Sequence, residues 1–164
     1  MGRSRGSGGS RVRFDVENAL NCAVIGYLKS TVADSTQGQA PIVGFYDPMS
    51  YTDEGSRIIV MTPDVQTAVT QTGFAATVEI GVRSQWAQTT LKADMDAHFA
   101  RVNDVRSCLL APDITAQMGT VAPSGLIIEQ VRPARKYSTS AKLENWIVSF
   151  TELTIQGAIH DPAS

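Results

Sequence analysis

Apolar residues recur along the chain with two different periods, and the switches between them divide it into elements. Val16, Leu20, Val24, Tyr27 and Leu28 share one stripe at spacings of three and four. That period predicts an amphipathic helix ending near Thr31, with Asp15 or Asn18 as its cap. Gly38 to Pro41 breaks the chain, Ile42 to Tyr46 reads as a short strand, and Asp47 to Ser56, with Pro48 and Gly55, as a long polar turn. Arg57 to Thr62 (RIIVMT) is apolar on both parities and reads as a buried strand. From Ala76 to Arg83 the alternation is strict. Ala76, Val78, Ile80 and Val82 face one way and Thr77, Glu79, Gly81 and Arg83 the other, which requires a core on one side and water or a partner on the other.

Leu91, Met95, Phe99, Val102, Val105 and Leu109 then recur at helical spacing and predict a second helix over residues 91–110. Thr89 or Thr90 supplies its cap and Pro112 its end. A helical turn is expected at Asp113 to Gln117, with Gly119 as a stop. Leu126 to Val131 and Leu143 to Ile155 form the last two strands, and the basic loop Pro133 to Lys142 (PARKYSTSAK) makes them a long hairpin. Within the last strand Trp146, Val148 and Phe150 share a parity, but Leu153 and Ile155 take the opposite one. Two explanations are open: a bulge near Thr151, or a second half that buries its other face against a subunit partner.

These elements predict an α+β fold. Its sheet is mixed but mainly antiparallel, with four or five strands, two amphipathic helices packed on it and a long terminal β-hairpin. Helix 91–110 and strand 76–83 are expected to form the core. Residues 14–158 read as one domain, 1–13 as a disordered arm and 159–164 as a flexible tail.

Length and composition fit that reading. A compact domain of 164 residues buries about 70% of the surface its unfolded chain exposes, so no disulfide or metal is needed to hold it. The longest apolar run, Cys22 to Leu28, contains Gly26 and falls short of the ~18 residues of a membrane span. The expectation is a soluble protein, made in the cytoplasm, without a secretory or membrane segment. Cys22 and Cys108 match no metal or disulfide spacing and read as reduced thiols buried on helices.

Charge adds an asymmetry. The net charge of −2 excludes a strongly basic nucleic-acid binder and an acidic disordered chain. Residues 1–13 (MGRSRGSGGSRVR) nevertheless carry Arg3, Arg5, Arg11 and Arg13 and no acid. The remaining chain holds ten bases against sixteen acids, a body of −6.

A search for chemistry finds mostly absences. There is no phosphate loop, nucleophile elbow, paired-cysteine zinc pattern or calcium loop, and no cofactor is expected. Asp94, Asp96 and His98 resemble a metal cluster on paper. On a helix, however, Asp96 points about 200° from Asp94, so an exposed Asp94–His98 pair is the simpler reading. Ser138, Ser140 and Lys142 sit in the polar hairpin loop with no core to shift the lysine. Asp47, Asp53 and Glu54 read as turn formers.

The remaining features suit contact with other proteins. Trp86 lies just past a strand end, where little core is available, and exposed tryptophan is enriched at interface centres. The hairpin loop presents Arg135, Lys136 and Tyr137, with Arg132 and Lys142 at its base. Leu153 and Ile155 carry the inverted parity, and the arm with Arg3, Arg5, Arg11 and Arg13 can order on assembly.

Element order and local character resemble the tail-terminator (tail-completion) proteins of long-tailed bacteriophages. The stretches ENALNCAVIGYL, ATVEIGVRSQW leading into ADMDAHFARVNDVRSCL, and LENWIVSFTELTI carry the likeness, over roughly residues 14–158. The resemblance implies a non-enzymatic virion protein, assembled in the host cytoplasm. Six subunits would form a ring that caps the tail tube, ends its polymerisation and meets the head–tail connector. DNA would be cargo passing through the lumen, past acids that repel its phosphates. Two other readings are an adaptor or stopper of the head–tail connector in the same particle, and a small α+β enzyme using Asp47, Asp53 and Glu54.

Overall fold

The structure is a computed structural model. It describes residues 15–44, 55–61, 63–67, 72–133, 138–143 and 145–160, with 138–143 described by their backbone pairing. Helix α1 (Val16–Thr31) starts at Asp15, whose carboxylate accepts from the Asn18 amide at 3.0 Å. It buries Leu20, Val24, Tyr27 and Leu28, the stripe predicted for it. The break expected at Gly38 is a short helix instead, α2 (Asp34–Gln39). It has no apolar stripe to announce it. Gln37 docks it by donating to the carbonyls of Lys29 (3.0 Å) and Val32 (2.7 Å), close to the end of α1, where carbonyls lack helical partners.

Strands β1 (Ile42–Gly44), β2 (Arg57–Val60), β3 (Asp64–Thr67) and β4 (Gly73–Gln85) follow. Of these, β3 has a single apolar residue, Val65, and no alternation to reveal it. Helix α3 (Leu91–Leu109) follows a 3-10 turn, and α4 (Ile114–Val121) runs through Gly119, which therefore does not stop it. The chain closes with β5 (Leu126–Pro133), β6 (Ser138–Leu143) and β7 (Trp146–Ile159).

The seven described strands join one sheet in the order β1-β2-β4-β7-β5, with β3 beside β4 and β6 beside β7. The β1–β2 pair is parallel and every other pair antiparallel. The fold is thus the mixed, mainly antiparallel α+β class expected, with a longer sheet. Its central pair, β4 and β7, is in register over thirteen residue pairs, from Gly73 opposite Ala158 to Gln85 opposite Trp146.

The terminal hairpin is longer and tighter than the sequence suggested. The basic stretch does not form one loop over 133–142, because β6 occupies its second half. The chain reverses between Leu143 and Trp146, which face each other across residues 144–145. β5 pairs with the far part of β7 (Leu126 opposite Ile159) and β6 with the near part (Ser138 opposite Phe150). The two strands therefore follow one another along the same side of β7. Arg135, Lys136 and Tyr137 fall outside the described residues, as do Asp47, Asp53, Glu54 and the arm.

The parity change in β7 is not a bulge there, since its register against β4 never slips. The irregularities lie in the partners, between Ile128 and Gln130 and between Ala141 and Leu143. One face of β7 is buried throughout: Ile147, Ser149, Thr151, Leu153 and Ile155. Two hydroxyl residues on the core face disguised it, and the apolar Trp146, Val148 and Phe150 lie on the other. Leu153 and Ile155 are fully buried in the main core beside Val78, Ile80 and Val131, so neither presents a surface to a subunit.

Candidate assembly surface

Helix α3 sits over β4 and β7 and has a different character on each side. Its first turn is fixed by Asp94, whose carboxylate accepts from the Thr90 hydroxyl (2.6 Å) and the Ala87 amide (2.9 Å). Those two bonds, the hydroxyl first, hold the carboxyl below its ordinary pKa. Thr90, the cap residue, makes no side-chain bond to the helix backbone. Asp94 therefore does not face His98, and the exposed pair expected from the sequence does not form. Asp96 pairs with Lys92 at 2.7 Å in a fully solvated i,i+4 contact.

His98 points inward and is completely buried. Its Nδ1 lies 2.7 Å from Ser84 Oγ on β4, and its Nε2 lies 2.8 Å from Ser149 Oγ on β7. Arg101 donates from Nη1 to the same Ser84 oxygen at 2.9 Å and from Nη2 to Gln39 of α2 at 3.2 Å. Burial, reinforced by the positive charges of Arg101 and Arg106, lowers the His98 pKa to about 4. The neutral ring bridges two strands and the helix above them. It is enclosed, so it is a structural clamp and has no access to a substrate.

The stripe predicted for α3 is half core and half surface. Val102, Val105 and Leu109 are buried, with His98 in the fourth place. Leu91, Met95 and Phe99, at spacings of four, are 39%, 37% and 40% exposed. A spacing of four drifts about 40° per step around a helix, so the row turns progressively away from the core. Leu110, just past the helix and 56% exposed, continues the same side.

Trp86 sits at the end of β4, half-buried, with its indole nitrogen enclosed and without an acceptor among the described residues. It lines an open groove of about 570 Å³ together with Ser56, Gln85, Gln88, Asp94 and Asn145. On the sheet face away from the helices, Arg83 is buried, where the alternation had placed it toward water or a partner. Its guanidinium stacks 4.0 Å over the Trp146 ring and donates to the Gly55 carbonyl at 3.3 Å. Arg132 is exposed on β5, and Lys142 belongs to β6.

Neither cysteine is disulfide-bonded. Cys22 is exposed, contrary to the burial expected of it, because it lies across α1 from the Leu20–Val24–Tyr27 stripe, and Cys108 is half-buried. Among the described residues no group of three His, Cys, Asp or Glu side chains is placed to hold a metal ion. No described helix is long and apolar enough to cross a membrane.

The exposed apolar row and the groove at Trp86 are surface features suited to contact. The outer side of β5 is partly covered by α4, where the Val131 amide donates to Thr115 Oγ1 at 3.1 Å. No protein-family profile matches the chain, and no curated protein sequence does. Among solved structures, a chain of the virion of a native gene transfer agent particle matches with a TM-score of 0.52 at 16% identity. The match covers 89% of this chain and 99% of that one. This chain has the fold of a virion-particle chain. Because the virion chain is covered almost end to end, the likeness is between whole domains and not a shared local motif.

Proposed function

We propose that this protein is a structural component of a phage-like virion. In this reading copies form a six-membered ring that caps the tail tube, stops its polymerisation, and joins it to the head–tail connector. The observation that carries the reading is the end-to-end likeness to a chain of a gene transfer agent virion. The tail-terminator resemblance of the sequence supplies the position within the particle.

The side chains support an architectural role. The one buried histidine is sealed between two serines, and the acids nearest it are committed to capping and to a surface ion pair. A head-to-tail contact that closes by rotation is self-limiting, which suits a protein that ends a polymer. In such a ring the chain acts without a cofactor, and DNA crosses the lumen as cargo. Self, the tube protein and the connector or stopper protein are its partners.

Native mass spectrometry of the purified chain, together with negative-stain images of tails assembled with and without it, tests this. A closed six-fold species, and tails that lose length control on omission, are the expected results. Tails of normal length that fail to join heads would assign it to the connector instead. A monomer at all micromolar concentrations that does not bind tail tubes would overturn the ring.

A further inference from the structure

We propose that Arg101, Ser84, His98 and Ser149 form a one-way chain of hydrogen bonds, with the single imidazole proton on Nε2, and that this chain latches the first half of α3 to the sheet until the imidazole takes up a second proton. The latch belongs to one chain and is independent of how copies assemble.

The first half of α3 has one buried attachment to the sheet. Among residues 91–100 only His98 is buried, whereas the second half buries Val102, Val105 and Leu109. Asp94 holds Thr90 and Ala87, which precede the helix, and Asp96 pairs with Lys92 in water. The second half has a further tie, the Tyr27 hydroxyl donating to the Cys108 carbonyl. His98 is therefore the anchor of the first half alone.

The donors and acceptors around the imidazole fix where its proton lies. Ser84 is fully buried, and among the described residues its hydroxyl has two side-chain neighbours, Arg101 Nη1 at 2.9 Å and His98 Nδ1 at 2.7 Å. A guanidinium can only donate, so it occupies a lone pair of Ser84 Oγ. The hydroxyl hydrogen then has one acceptor within reach, Nδ1. That nitrogen is accordingly bare, and the proton sits on Nε2, which donates to Ser149 Oγ at 2.8 Å. Were the proton on Nδ1, Ser84 would accept twice and bury its own hydrogen without an acceptor, which native structures avoid. Donation from a cation also makes Ser84 Oγ a stronger donor to the next member of the chain.

The same constraint makes the chain sensitive to acid. An imidazolium donates from both nitrogens, so Ser84 would receive two donors and its hydrogen would be stranded. The charges acting on the imidazole are Arg101 and Arg106, both positive and both on α3. Toward it β4 presents Ser84 and β7 presents Ser149, while α2 joins through Gln39, which accepts from Arg101 at 3.2 Å. Asp94, one turn back, is turned to Thr90 and Ala87, and Glu79 and Glu152 lie on the other face of the sheet. A second proton thus adds a third positive charge beside an unmet donor. Leaving the sheet with its half of the helix relieves both.

Two measurements on the full nitrogen-15-labelled chain test this. In His160→Gln the remaining histidine is His98, and long-range nitrogen–proton correlation at about pH 7 should show a protonated Nε2 and a bare Nδ1. A proton on Nδ1, or an equal mixture of the two forms, would overturn the chain. Hydrogen exchange of the wild type, read as protection factors, should show amides of residues 95–100 opening about 50-fold more often at about pH 4.5 than at about pH 7. That ratio follows from a pKa of 6.5 when released and about 4 when latched. Amides of residues 105–109 and of the β4–β7 pairing should keep their protection. Equal loss in both halves of α3, or none in the first, would overturn the latch. Arg101→Met removes a charge that opposes the second proton, so it should shrink the ratio several-fold. An unchanged ratio in that variant would overturn the place of Arg101 in the chain.

Discussion

At the scale of single residues the fold depends on a few close contacts that tolerate no substitution. A Cβ built on Gly157 would lie 2.0 Å from the Ile127 carbonyl and 2.8 Å from the Phe74 ring, both impossible approaches. The glycine is what lets β5 and β4 close on β7 at that level. Gly157→Ala should therefore cost about 2–4 kcal/mol, measured as a fall in urea midpoint. Tyr27, fully buried on α1, donates its hydroxyl to the Cys108 carbonyl near the end of α3. Tyr27→Phe should cost about 1 kcal/mol by removing that buried bond, the Ala111 amide remaining as a longer donor to the same carbonyl at 3.4 Å. His98 gives a pH signature. Its pKa falls from 6.5 to about 4 on folding, so the unfolded chain binds the extra proton between those values. The contribution of the neutral ring is complete above pH 6.5 and is lost as pH drops toward 4. Urea midpoints over that range should decline in the wild type. The portion due to this ring should vanish in His98→Gln, which keeps polar atoms near the two serines.

At the scale of elements, α3 shows what a periodic pattern can and cannot say. Its existence, length and lower core stripe were legible, because Val102, Val105 and Leu109 repeat at helical spacing and bury as expected. Its upper half was misread for a physical reason. Leu91, Met95 and Phe99 are as apolar as core residues, whereas the position that enters the core at that level is His98, made compatible by Ser84 and Ser149 from two other elements. No local pattern reports partners fourteen and fifty-one residues away. The same cause hid the buried face of β7, where Ser149 and Thr151 sit among apolar neighbours. It also hid α2 and β3, which are held by contacts to other elements and have no stripe of their own. The alternation of β4 was readable because every second residue from Ala76 to Val82 is buried. Of the candidate contact residues, Arg132 is exposed and Trp86 only half-buried, while the flank of α3 was assigned to the core. A further expectation belongs to this level. Asp94→Ala removes the acceptor for Thr90 and Ala87, so the first turn of α3 should fray. Amides of residues 91–95 should lose protection first, while those near Val105 keep it.

At the scale of the whole molecule, the sheet is a barrier between two unlike surfaces. One face is covered by helices. On the other, Glu79 and Glu152 stand directly opposite each other on β4 and β7, and like charges in that relation are unfavourable. Arg132 is exposed on β5 of this otherwise acidic body. If copies in a ring meet through unlike charges, their association should weaken as salt rises, with the effect concentrated in the rate of encounter. Stopped-flow mixing of dissociated subunits at 50 and 500 mM salt, concentrations on either side of strong screening, checks this. An association rate that does not change would separate charge from the mechanism of assembly.

The central place of β7 also has a consequence in time. β4 lies against it along its whole length, yet Gly73 must find Ala158 and Gln85 must find Trp146, far along the chain. Both β5 and β6 depend on the same strand. A nascent chain that has reached α3 has its first two helices and four of its seven described strands, but not the β4–β7 pairing that holds the middle of the sheet. Loops that long close slowly, and the open edges wait until they do. The β5–β6 side of the sheet is therefore completed last. Unfinished chains lack the strand that ties the two sides of the sheet together, so any assembly of the folded chain follows completion of β7.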